Sequence, residues 1–66
     1  MGGGAAGAAL REGAARGDLP RLAQLLKDNP KIVNDPDENG CTALQRAAAD
    51  GHSEAVEILL QHGADP

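Results

Sequence analysis

The sequence predicts an all-α fold, two helix pairs joined by a short hairpin loop, and three observations carry that prediction. Apolar residues recur at helical rather than strand spacing. Glycine and proline fall where helices must stop. The chain also repeats itself at an offset of 34 residues: "AALREGAARGDLPRLAQLL" (8–26) aligns with "TALQRAAADGHSEAVEILL" (42–60). Leu10 falls on Leu44, Ala14-Ala15 on Ala48-Ala49, Gly17 on Gly51, Leu22 on Val56, and Leu25-Leu26 on Leu59-Leu60. A period of this length is the mark of stacked helix pairs, each unit burying its apolar face against a neighbour.

Taken in order, residues 1–7 ("MGGGAAG") read as a flexible Gly/Ala tail, too poor in apolar area to order itself. Gly2, Gly4 and Gly7 have the spacing of a dinucleotide fingerprint, but no strand precedes them. Myristoylation wants Ser or Thr where this chain has Ala6. A first helix is expected over Ala8–Arg16, stopped by Gly17. A second runs over Leu19–Lys27 with Leu19, Leu22, Leu25 and Leu26 as its stripe and Pro20 in the first turn, where a missing N–H costs nothing. Asn29-Pro30 ends it, because the residue before proline avoids the helical region. Ile32-Val33 is expected to be extended, and residues 35–40 to turn. Thr42 is the expected N-cap of a third helix, Ala43–Asp50, stopped by Gly51. Ser53 is the expected N-cap of a fourth, Glu54–His62, with Val56, Leu59 and Leu60 buried, Ile58 on the flank, and Gly63 as the stop. The units are therefore 1–7 as tail, 8–34 as a first, capping-like repeat, and 35–66 as a second repeat ending before the next hairpin.

Composition narrows the function. The chain has 66 residues, 41% of them hydrophobic, but many are alanine and none is Phe, Tyr or Trp. The core candidates are the leucines named above with Ile32, Val33, Val56 and Ile58. A core this small contributes about 3–5 kcal/mol without a staple, and one cysteine, Cys41, makes no internal disulfide. A lone cysteine suits a reducing, intracellular compartment, cytoplasmic or nuclear. Net charge is −4, split as +2 over residues 1–33 and −6 over 34–66. An acidic chain without stacking aromatics is a poor nucleic-acid ligand. No apolar run approaches a membrane span, and no secretory leader is visible.

"DPDENG" (35–40) has the side chains of a calcium loop, with Asp35, Asp37, Asn39 and Gly40 at positions 1, 3, 5 and 6 of that motif. Its twelfth position, which needs a bidentate glutamate, falls on Arg46. A turn explains the same residues: Asp and Asn bond their own backbone, and glycine supplies positive φ. Cys41 lacks the placed histidine or cysteine partners of a catalytic or metal-bound thiol. No motif for a nucleophile, a metal or a cofactor is present. The expectation is no enzyme, no cofactor and no metal.

The second copy, Asp37-x-x-Gly40-x-Thr42-Ala43-Leu44-Gln45-x-Ala47-Ala48, then Gly51-His52, Val56, Leu59-Leu60 and Gly63-Ala64-Asp65, resembles the ankyrin repeat family over residues 8–66. Gln45 stands where that family usually has histidine and Ala43 where it has proline, and "DNPKIVND" (28–35) is one residue longer than the common spacing. The "TALQ" stretch, with a proline upstream, is also similar to the ankyrin region of mind-bomb-type ubiquitin ligases and of ankyrin-type kinase inhibitors.

The resemblance implies a protein–protein interaction module. His52 would be the structural histidine of the family's Gly-His pair. Partner-binding positions would be Glu38, Asn39, Cys41, Arg46, Ala49 and Asp50, with Ala15 and Arg16 in the first repeat. Together they make a mixed, acidic-leaning surface with small side chains in the groove, suited to a basic or amphipathic protein partner. Two alternatives stand beside it: an N-terminal structural cap of a longer array, or a small regulator docking on another array, with self-association through an open C-terminal face as its signature.

Overall fold

Helix α1 spans Gly3–Arg16, α2 Leu19–Asp28, α3 Ala43–Ala49 and α4 Ser53–Gln61, in a computed structural model that describes residues 3–66. α1 begins five residues earlier than the apolar spacing predicts, so Gly3–Gly7, read as tail, are its first turns; Met1 and Gly2 lie outside the described residues. Asp18 is the N-cap of α2, its carboxylate accepting the Arg21 N–H at 3.4 Å, and Pro20 sits in the first turn as expected.

Ile32 and Val33 are not extended. They lie in a 3₁₀ turn, Pro30–Asn34. Proline fixes the first φ of that turn, and i→i+3 bonds from Ile32 N–H to the Asn29 carbonyl (3.3 Å) and from Asp35 N–H to the Ile32 carbonyl (3.1 Å) close it. α3 starts on a reciprocal cap: Thr42 Oγ1 accepts the Gln45 N–H, and Gln45 Oε1 accepts the Thr42 N–H at 3.0 Å. Gln45 thereby serves its own helix. Ser53 lies inside α4 rather than capping it; the cap position is His52, whose ring is engaged elsewhere.

The 34-residue offset recurs in the hydrogen bonds. Gly17 N–H donates to the Ala14 carbonyl and Asp18 N–H to that of Gly13; Gly51 and His52 repeat the pattern onto Ala48 and Ala47. Gly17 and Gly51 both have positive φ, 69° and 75°, which side chains resist. At Gly17 a Cβ would also lie 2.7 Å from His52 Nδ1, while at Gly51 it would meet nothing. His52 is there because its Nε2–H donates to the Ala15 carbonyl at 2.9 Å, tying the second repeat to the first. A second tie is Asn34, whose amide donates to the Gly63 carbonyl (3.1 Å) and accepts the Asp65 N–H (2.8 Å).

The core lies between the pairs. Leu10, Ala14, Leu22 and Leu26 of the first repeat meet Ala43, Ala47, Ala55 and Leu59 of the second, with Ile32 and Val33 closing one side. Alanine supplies little burial area, but small side chains let helices approach closely, and five alanines are in this core. Leu19, Leu25, Val56 and Ile58 are half-buried against it. Leu60, expected in the buried stripe, is 44% exposed, since no element among the described residues covers its side of α4.

Candidate functional site

The loop between the pairs is a closed hairpin. Asp37 N–H donates to the Cys41 carbonyl (2.9 Å) and Gly40 N–H to the Asp37 carbonyl (3.0 Å). Asp37 Oδ1 accepts the N–H groups of Asn39 and Cys41, both at 2.8 Å. Those bonds, Cys41 first and Asn39 second, hold the Asp37 carboxyl below the usual carboxylate range; Arg11 and Arg46 add a smaller pull against partial desolvation. The side chain that fits a calcium motif by sequence is thus turned onto its own loop.

Beside this hairpin, α1 and α3 border an open groove of about 420 Å³ lined by Ala8, Arg11, Glu12, Ala15, Arg16, Asp37 and Arg46. Arg11 is half-buried at its base, with Nη1 donating to the Asp35 carbonyl at 3.0 Å. Arg16 pairs with Glu12, one turn away, at 3.4 Å with both side chains well exposed. This is the one ion pair among the described residues, so neither Arg11 nor Arg46 has a carboxylate partner there.

Of the residues expected to meet a partner, Arg16, Arg46 and Ala15 line this groove. Glu38, Asn39, Ala49 and Asp50 are exposed outside its lining, and Cys41 is half-buried with its backbone fixing the hairpin. The reading by sequence missed Ala8, Arg11, Glu12 and Asp37. Glu12 was within reach, since the 34-residue offset sets it opposite Arg46. The lining is basic-leaning, three arginines against two acids, where the positions expected from sequence balance, Glu38 and Asp50 against Arg16 and Arg46, and have no acidic excess. His62, the residue after α4, bonds the Ile58 carbonyl through Nδ1 at 2.8 Å.

No described helix is long and apolar enough to cross a membrane. A family model described as ankyrin repeats in three copies matches residues 8–66. The NAD-capped RNA hydrolase NUDT12 of Homo sapiens is 46% identical over 52 residues, 79% of this chain and 11% of that protein. The human DNA-binding protein RFXANK is 47% identical over 53 residues, 80% of this chain and 20% of that protein. Ankyrin repeat family A protein 2 of Mus musculus is 45% identical over 53 residues, 80% of this chain and 17% of that protein. The chain therefore spans only a tenth to a fifth of the length of these relatives. No solved structure matches it.

Proposed function

Because the chain belongs to the ankyrin repeat family, we propose that it is a protein–protein interaction module whose partner lies against the groove and the hairpin, without catalysis. Ankyrin repeats generally mediate protein–protein interaction and are typically non-catalytic. The observation that supports this surface is the groove itself, built from α1, α3 and the hairpin together, so that both repeats must stack before it exists. A rigid, shallow surface of this kind binds through a few well-placed side chains. The hydrolase and DNA-binding relatives share only a small part of their length with this chain, and their named activities are not carried over. Cys41 supports an intracellular setting.

Photo-crosslinking tests the reading. A benzoyl-phenylalanine placed at Ala15 or Glu38 should trap a protein partner in cells, while one at the exposed Gln24 on α2 should not. Equal trapping at Gln24 would remove the groove as the binding surface.

A second reading, a structural cap in a longer array, has its own observation. The second repeat leaves Ala48 and Leu60 exposed on its outer face, at the places where the first repeat buries Ala14 and Leu26. The opposite outer face carries Arg21 where the second repeat has the buried Ala55. A far-UV circular dichroism melt at several concentrations separates the readings: a cooperative, concentration-independent melt supports an autonomous module, a weak sloping signal supports the cap.

A further inference from the structure

We propose that the groove takes an acidic peptide segment of the partner, its Asp and Glu carboxylates reaching Arg16 and Arg46 with Arg11 at the groove base. This rests on the groove being the binding surface and deepens that reading. Three of the six basic residues of the chain line this one groove. They come from two helices, Arg11 and Arg16 from α1 and Arg46 from α3.

The two acids in the lining offset part of that charge, and the Asp37 carboxylate acts on both Arg11 and Arg46, but one positive charge is left over. Asp37 Oδ1 already accepts two backbone N–H groups, and Glu12 pairs only with Arg16. Arg46 is exposed with no carboxylate in ion-pair reach among the described residues, and Arg11 uses one nitrogen on a backbone carbonyl, leaving its other donors. Guanidinium groups bind carboxylates through paired, planar N–H bonds, and a fixed arginine loses less freedom in doing so than a lysine.

The groove lining carries +1 (three arginines, two acids) and the whole chain −4, so the remaining surface carries −5. That charge sits on the second repeat: outside the groove residues 34–66 carry −6, while residues 1–33 carry +1 from Arg21, Lys27 and Lys31 against Asp18 and Asp28, so an acidic segment is disfavoured over the second repeat and favoured beside the groove arginines. Charge of that pattern gives orientation and specificity.

Selection from a phage-displayed library of random dodecapeptides on the 66-residue chain tests this, and the negative net charge works against the expected answer. The expected result is enrichment of Asp and Glu over the naive library. Affinity of the selected peptides should fall about tenfold on Arg16→Glu/Arg46→Glu and weaken with added salt. Both arginines are exposed, and circular dichroism checks that the variant folds. Peptides blocked by Ala15→Trp but not enriched in acids, or indifferent to the double variant, overturn the proposal while leaving the groove as the binding surface. Failure to select any peptide blocked by Ala15→Trp overturns both.

Discussion

Leu26 and Leu60 hold the same place in successive repeats, yet one is 1% exposed and the other 44%. Ala14 and Ala48 differ in the same way, buried against exposed. The amino acids are identical, the helices are of one kind, and the turns before them bond alike. What differs is the neighbour: the first repeat has the second on top of it, and the second has none among the described residues. In a stacked array, burial belongs to the pair of units rather than to the unit, which is why stability of such arrays divides into intrinsic and interface parts.

The strongest way to break this comparison is to truncate both leucines. Leu26→Ala should cost about 2–5 kcal/mol, enough to abolish most helical signal in a chain whose core supplies little more. Leu60→Ala should stay within about 0.5 kcal/mol. Urea titration followed by circular dichroism reads both. Equal losses would mean that Leu60 is covered in solution.

The two glycine turns sharpen the comparison next. Gly51→Ala should cost the left-handed strain alone, about 1–2 kcal/mol. Gly17→Ala should cost that and about 1 kcal/mol more, because its Cβ displaces the His52 ring from the Ala15 carbonyl. His52→Ala alone should cost about 1 kcal/mol, and in a His52→Ala background the difference between the two glycine variants should vanish. A difference that survives would place its cause outside the histidine.

Smaller still is the effect of acid on the hairpin. The carboxyl of Asp37 titrates below its usual range, so its bonds to Cys41 and Asn39 hold above the unfolded carboxylate range and are lost as pH falls through the lowered folded value. Amide resonances of Cys41 and Asn39 followed by NMR should therefore shift at a pH below that of an ordinary aspartate. A midpoint at or above the ordinary value would contradict the bonded hairpin.

Much of the fold is legible along the chain because its signals are local. Gly17, Gly51, Pro20, Thr42 and the leucine stripes act within a few residues of themselves, and the period multiplies each signal by two. The unread parts are those decided across the chain. Ile32 and Val33 look like strand residues by composition, but among the described residues there is no strand to pair with them, and Pro30 tightens them into a 3₁₀ turn. Gly3–Gly7 look structureless because alanine and glycine carry no apolar pattern. The groove escaped notice because charge summed along the sequence separates a basic first half from an acidic second. Stacking sets Arg46 beside Arg11 and Arg16, and no running sum sees that. His52 was legible only through family resemblance; its partner, the Ala15 carbonyl, is 37 residues away.

Asn34 has a mechanical consequence. One amide grips the Gly63 carbonyl with its nitrogen and the Asp65 N–H with its oxygen. A pull applied at Pro66 loads both bonds together, so they share the tension rather than fail in sequence. The load then enters the fold at Asn34, between the two helix pairs, instead of peeling α4 from its end. Asparagine suits such a coupling because donor and acceptor sit side by side on one short arm; Asn34→Asp keeps the length but loses the grip on Gly63, and the joint becomes a hinge.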